Sequence, residues 1–178
     1  RSFSKKGIHN GADDNASGVA LLLGLAKNFK SWENKKYNYL WVCYSAHEIG
    51  LFGSEAFSKF AKKNFKPIDL ALNFDMVGRL DNDRKVINVF GIQTLTENQN
   101  KKIDSVPFDG IVMTNFSSKI YECDLKTFAE NGIPSLSFST GYHSDYHCVT
   151  DDEEFINYSG IVQIEKYVLD LIAKFTSP

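Results

Sequence analysis

The chain has 178 residues, of which 43% are hydrophobic and 24% are charged, proportions that are ordinary for one globular domain with a substantial core. Its formal net charge is −2 and its lysines are dispersed, which argues against a nucleic-acid-binding surface. No apolar run approaches the roughly 18 residues that a membrane-spanning segment needs, and the three cysteines form no C-x-x-C pair of the kind that binds metals.

The beginning of the chain predicts a loop followed by an amphipathic helix. Residues 1–10 are polar and lack periodicity, which is typical of a loop. Asp14 or Asn15 is then placed to cap a helix, because a short side-chain acceptor satisfies the free amides of the first turn. Apolar positions at helical spacing form one predicted face, made of Val19, Leu22, Leu23, Ala26 and Phe29.

The remaining elements alternate short apolar strands with helices. Tyr39–Ser45 is almost wholly apolar, the pattern of a strand that is covered on both faces. The last helix carries a stripe made of Ile161, Ile164, Val168, Leu171, Ile172 and Phe175. The other predicted elements are helices over 54–63 and near 125–130, and strands over 68–74, 86–90, 110–113 and 135–138. This alternation predicts a single α/β domain over residues 1–178, with three α/β/α layers and a largely parallel twisted sheet.

Acidic and histidine side chains follow the predicted strands or precede the first helix, at the sheet edge where ligands of open α/β sheets collect. They are Asp13 and Asp14 before the first helix, His47 and Glu48 after the first strand, Asp75 after the second, and His143, Asp145 and His147 after the last. Carboxylates and imidazoles without a thiolate suit zinc or a similar divalent ion in a catalytic site. Each residue alone has a plainer explanation, as a helix cap, a turn residue or a surface histidine.

Five segments raise this pattern to a specific resemblance. They are Asn10-Gly-Ala-Asp-Asp-Asn-Ala-Ser-Gly18, Tyr44-Ser-Ala-His-Glu-Ile-Gly-Leu-Phe-Gly-Ser54, Asn73-Phe-Asp-Met-Val-Gly-Arg79, Asp124–Pro134, and Asp145-Tyr-His147. In order and spacing they resemble the zinc exopeptidases of the aminopeptidase Y and bacterial leucyl aminopeptidase type, family twenty-eight of the metallopeptidases. The resemblance implies the zinc-exopeptidase (phosphorylase/hydrolase-like) fold and the removal of N-terminal residues from peptide substrates.

The resemblance also implies a role for each matching residue. Asp13 would be the carboxylate that bridges two zinc ions. Glu48 and His147 would complete one metal site, and Asp75 would belong to the other. A non-proline cis peptide bond is a further expectation of this family, at the Asp13–Asp14 step.

Two departures from the family pattern stand out. The family's first histidine ligand lies upstream of Gly7 and has no match here, so we expect a domain fragment that lacks its first strands. A sheet without its outer strands has an unpaired edge, which favours self-association. His47 stands where the family has its general-base glutamate. Imidazole accepts protons near neutral pH, but next to a dication it is also able to ligate the metal or, protonated, to repel it.

These departures leave three functions open at this stage. The first is a metal-dependent aminopeptidase impaired by His47, in which restoring glutamate raises turnover by at least about tenfold. The second is a catalytically inactive metal- or protein-binding module, and the third a mononuclear-zinc enzyme similar to the glutaminyl cyclases. One or two zinc ions and a peptide substrate are the implied ligands. The resemblance favours an exported protein, periplasmic or extracellular.

Overall fold

The computed structural model describes residues 7–31, 37–65, 67–106 and 123–177, and the backbone of 112–115. The helices are α1 (Gly18–Lys30), α2 (Phe52–Asn64), α3 (Glu97–Asp104), α4 (Leu125–Glu130) and α5 (Tyr158–Thr176). The strands are β1 (Ala71–Phe74), β2 (Val86–Phe90), β3 (Val112–Asn115) and β4 (Ser135–Ser139). Within the described residues, no helix is both long and apolar enough to cross a membrane.

The four strands form one sheet in the order β1-β4-β2-β3. The outer pairs β1–β4 and β2–β3 are parallel, whereas the central pair β4–β2 is antiparallel. The connection from β1 to β2 contains no helix. It therefore lacks the crossover that parallel strands need, and the two strands run in opposite directions. The predicted α/β class is confirmed, with an antiparallel pair that the sequence did not indicate.

Helix α5 packs on the sheet with the face that its sequence predicts. Ile164, Val168 and Leu171 are almost completely inaccessible to solvent, and the contacts of α5 with α1 and α3 build one core. Helix α1 is rotated relative to its predicted face. Leu21 and Leu25 are buried, whereas 65% of Leu23 is exposed. Three consecutive leucines make the apolar period of α1 ambiguous, and packing against β1 and α5 decides which of them is buried.

Helix α3 was not predicted from the sequence. Its start carries a capping box, in which the Gln99 amide donates to the Thr96 hydroxyl and the Gln99 side chain accepts from the Thr96 amide at 2.8 Å. This reciprocal pair satisfies two free donors of the first turn. The Thr-x-x-Gln spacing was therefore the available signal for this helix.

The predicted strand Tyr39–Ser45 has no strand partner among the described residues. It is anchored by aromatic packing, with the Tyr39 ring centroid 4.4 Å from that of Phe29. This segment and the edge strand β1 both line an open groove of about 1500 Å³. A strand needs a hydrogen-bonded neighbour, and none of the described strands supplies one to this segment.

Candidate metal centre

The loop before α1 presents two consecutive aspartates with different surroundings. The amides of Asp13 and Asp14 both donate to the buried carboxylate of Asp151, at 3.0–3.1 Å. The Asn15 side chain fixes the other end of the loop by donating to the Phe74 carbonyl at 2.8 Å. The cis peptide bond of this loop is Asp14–Asn15, one residue beyond the expected step.

The second loop carries His47 and Glu48 on a single turn, His47–Ile49, between residues with positive φ. Ala46 has φ 61° and Leu51 has φ 60°, which is unusual for residues with a Cβ. Helix α2 packs directly beneath, because Gly53 lies against the Ser45 backbone and any Cβ at position 53 would collide with the Ser45 carbonyl. This close packing fixes the start of α2 against the turn, and Glu48 lines the groove.

His147 enters from the loop after β4. Its backbone is also left-handed, with φ 58°, and its ring stacks on Tyr146 with centroids 3.7 Å apart. Tyr142 packs edge-on against Tyr146 at 4.8 Å. From the sequence, Tyr142, Tyr146 and Phe116 suit either the lining of an apolar cleft or the core, and in the structure the Tyr146 ring lies directly beside the imidazole. Phe116, the third residue indicated, lies outside the described residues.

Three side chains from these loops converge on one point. The His147 Nε2 atom lies 3.1 Å from Asp14 Oδ2 and 3.1 Å from Glu48 Oε1, and the three ligand atoms all lie within 4.8 Å of one another. Ligand atoms around a tetrahedral zinc ion are about 3.3 Å apart. Burial raises the pKa of Asp14, and the Glu48 charge raises it further. A divalent cation would relieve this repulsion, so the donor set fits zinc.

Asp13 is not part of this cluster, although the family resemblance implied a bridging role for it. Its side chain is fully buried and turned inward, where Oδ1 accepts from the Gly78 amide at 2.6 Å. Its other oxygen lies 3.1 Å from His143 Nε2, and burial raises its pKa. The geometry thus offers Asp14 where the resemblance implied Asp13, because neighbouring side chains on this loop point in opposite directions.

Asp75 also lies outside the three-ligand cluster. It follows β1, and its amide donates to the Phe138 carbonyl at 3.1 Å. Burial raises the Asp75 pKa to about 6, although the nearby His47 lowers it. Asp75 lines the same groove as Asp14, His47 and Glu48, so it is close to the candidate centre without completing it.

His47 bonds to a carboxylate that was not predicted as part of the site. Its Nδ1 lies 2.9 Å from Asp124 Oδ2, and this hydrogen bond raises the His47 pKa to about 9, against the effect of burial. Asp124 belongs to one of the five family segments, where it reads as a residue preceding a helix. Its partner is 77 residues away, and no local pattern indicates such a contact.

Arg79 and its two carboxylate partners form a second group near the candidate centre that the sequence did not indicate. Arg79 reaches Asp145 at 3.4 Å and Asp151 at 3.3 Å. Asp151 is 1% exposed and also holds the loop of Asp14. This arrangement couples the loop of Asp14 to the segment that carries His147.

The comparisons with known proteins identify the family to which the chain belongs. Residues 3–172 match Peptidase family M28. The chain belongs to this family. Aminopeptidase YwaD of Bacillus subtilis is 29% identical over 136 residues, which cover 74% of this chain and 29% of YwaD. The resemblance drawn from the five segments is confirmed.

Solved structures share the fold at low sequence identity. LapB from Legionella pneumophila superposes with a TM-score of 0.82 at 19% identity, over 98% of this chain and 50% of LapB. BSAP, a zinc aminopeptidase from Bacillus subtilis, gives a TM-score of 0.70 at 21% identity, over 95% of this chain and 44% of BSAP. The chain thus spans about half the length of these structures, and less of YwaD.

Proposed function

We propose that this chain carries the catalytic centre of a zinc-dependent aminopeptidase. The observation that supports it best is the convergence of Asp14, Glu48 and His147 within 4.8 Å in a domain of Peptidase family M28. Glu48 and His147 are two of the ligands that the resemblance implies, and the third, Asp14, is contributed by the geometry in place of Asp13. YwaD is an aminopeptidase and BSAP a zinc aminopeptidase, which is the activity that such a donor set serves.

In this proposal each side chain has a distinct task. Asp14, Glu48 and His147 would hold zinc, which when bound supplies Lewis-acid polarisation of the scissile carbonyl and activation of water. His47 stands in the groove beside the cluster, and because its raised pKa keeps the imidazole protonated near neutral pH, its first part is to donate a proton to the leaving amine. Asp75 lines the same groove and provides a further carboxyl group for the free α-amine of a peptide.

Hydrolysis of aminoacyl p-nitroanilides by the purified protein tests this function. We expect turnover of Leu-p-nitroanilide that chelation abolishes and added zinc restores. The matched substrate is Nα-acetyl-Leu-p-nitroanilide, which lacks the free amine and should not be cleaved. Absence of turnover on an aminoacyl series at full zinc loading would contradict the proposal and favour a binding module.

We predict that the protein binds one zinc ion tightly and a second weakly. Asp75 is not within the three-ligand cluster, and the imidazole of His47, which lines the same groove, is bonded to Asp124. Carboxylate-only sites hold zinc less selectively than sites with imidazole. Calorimetric titration of metal-free protein, with Asp75→Asn as the comparison, should give one tight equivalent in both. Two tight equivalents in the unaltered protein would contradict this.

We also propose that the free edge of β1 associates with a second copy of the chain. Among the described strands, β1 is hydrogen-bonded only to β4. The Ala71 and Asp75 amides point to the β4 side, so alternation turns the Leu72 amide to the free edge. Light scattering should show a mass that rises with concentration. Leu72→Pro removes the edge donor without removing a β4 bond and should lower that mass, whereas a monomer at every concentration would refute the association.

A further inference from the structure

Asp124 directly precedes α4, and its carboxylate is not used as a helix cap. An aspartate at this position usually accepts from the amides of the first helical turn. Here the side chain makes no such hydrogen bond. The Thr127 amide bonds to the Asp124 backbone carbonyl instead. Capping of α4 therefore does not explain why a carboxylate is present at position 124.

The same carboxylate is buried, which is costly for a charged group unless it is paired. Asp124 is 7% exposed, and its Oδ1 atom makes no hydrogen bond among the described residues. Its Oδ2 atom lies 2.9 Å from His47 Nδ1. Within the described part of the chain, the contact with His47 is thus the interaction that offsets the burial of this group.

A hydrogen bond at one imidazole nitrogen decides what the other can do. With the Nδ1 proton donated to Asp124, Nε2 is the nitrogen left for the groove. Asp14, Glu48 and Asp75 line that groove. We propose that Asp124 is a positioning residue, which holds the His47 ring with Nε2 turned to the reacting groups. The inference rests on the aminopeptidase function proposed above and gives the carboxylate of α4 a part in it.

The positioning can be tested without any enzyme activity, by measuring which ring nitrogen of neutral His47 carries the proton. The chain has four histidines, and long-range proton–nitrogen NMR distinguishes their two ring nitrogens, with His47→Ala providing the assignment. At a pH where His47 is neutral, we expect its proton on Nδ1. Asp124→Ala should move it to Nε2, and Glu130→Gln, an exposed carboxylate on the same helix whose Oε1 lies 3.8 Å from Lys126, should leave it on Nδ1. A proton on Nε2 of the unaltered protein would overturn the proposal.

Kinetics test whether the positioning matters for the reaction. Asp124→Asn should lower kcat at least about tenfold, the low end of what a positioned proton-transfer group supplies, with KM and zinc content unchanged. If Asp124 acts through His47, the same substitution should have no further effect in a His47→Ala background. Additive losses, or an unchanged kcat, would overturn the role. If the unaltered protein is inactive at full zinc loading, the proposed function fails while the NMR result still decides the positioning.

Discussion

Replacing Asp14 by asparagine is expected to weaken zinc binding at least about 100-fold, because loss of a supporting partner alone costs 10- to 100-fold and Asp14 is a ligand in the proposed centre. The carboxylate lies 3.1 Å from His147 Nε2, and an amide in its place supplies no charge. Competition with a chromogenic chelator measures the zinc affinity. In the absence of zinc, the Asp14→Asn variant should unfold at nearly the same temperature as the unaltered protein without zinc.

Asp13→Asn is the matched control, since it makes the same chemical change one residue earlier. Zinc affinity should stay within a few-fold of the unaltered protein. The free energy of unfolding should fall by about 1–3 kcal/mol, because the buried contact with His143 loses its charge. If Asp13→Asn removes zinc and Asp14→Asn does not, the original assignment of Asp13 is right and the proposed ligand set is wrong.

Replacing His47 by alanine is expected to lower kcat by about 10²- to 10⁴-fold, the usual contribution of a positioned acid or base. KM and zinc content should change little, because His47 is not one of the three converging ligands. Steady-state kinetics on Leu-p-nitroanilide with zinc analysis of the same samples measures both effects. An unchanged kcat would show that His47 takes no part in proton transfer.

The contact with Asp124 reverses the effect that the sequence predicts for His47→Glu. From position alone, glutamate should raise turnover by at least about tenfold. In the structure, a glutamate at position 47 would face the buried Asp124 carboxylate, which lies 2.9 Å from the imidazole of His47. Two carboxylates this close retain a shared proton. We therefore expect His47→Glu to be slower than the unaltered protein, with activity regained in the His47→Glu, Asp124→Asn double variant. A faster single variant would contradict this.

Sequence periodicity anticipated the elements that have a single consistent pattern. The stripe of α5 and the bounds of α4 agree with the structure. The face of α1 does not, because Leu21, Leu22 and Leu23 satisfy several registers and only packing selects one. Tyr39–Ser45 has the composition of a strand, but composition does not supply the hydrogen-bonded neighbour that makes one.

The motif names two residues of the candidate cluster without ambiguity, and their metal role is part of the proposal. Glu48 and His147 lie in the cluster as expected, whereas the choice between Asp13 and Asp14 depends on the direction of one side chain in an irregular loop. Asp124 was not anticipated because its contact with His47 joins residues 77 positions apart. Local patterns carry no information about such pairs, and only the folded arrangement of the loops reveals them.

The anchoring of the Asp14 loop by Asp151 has a consequence for synthesis on the ribosome. The two residues are 137 positions apart. Because the ribosome adds about 5–20 residues per second, Asp151 is synthesised roughly 7–27 s after Asp14. Until then the amides of Asp13 and Asp14 lack their buried acceptor. A nascent chain that has already collapsed around α1 and β1 therefore cannot yet capture metal in the final geometry, and assembly of the centre becomes a late event that awaits Asp151.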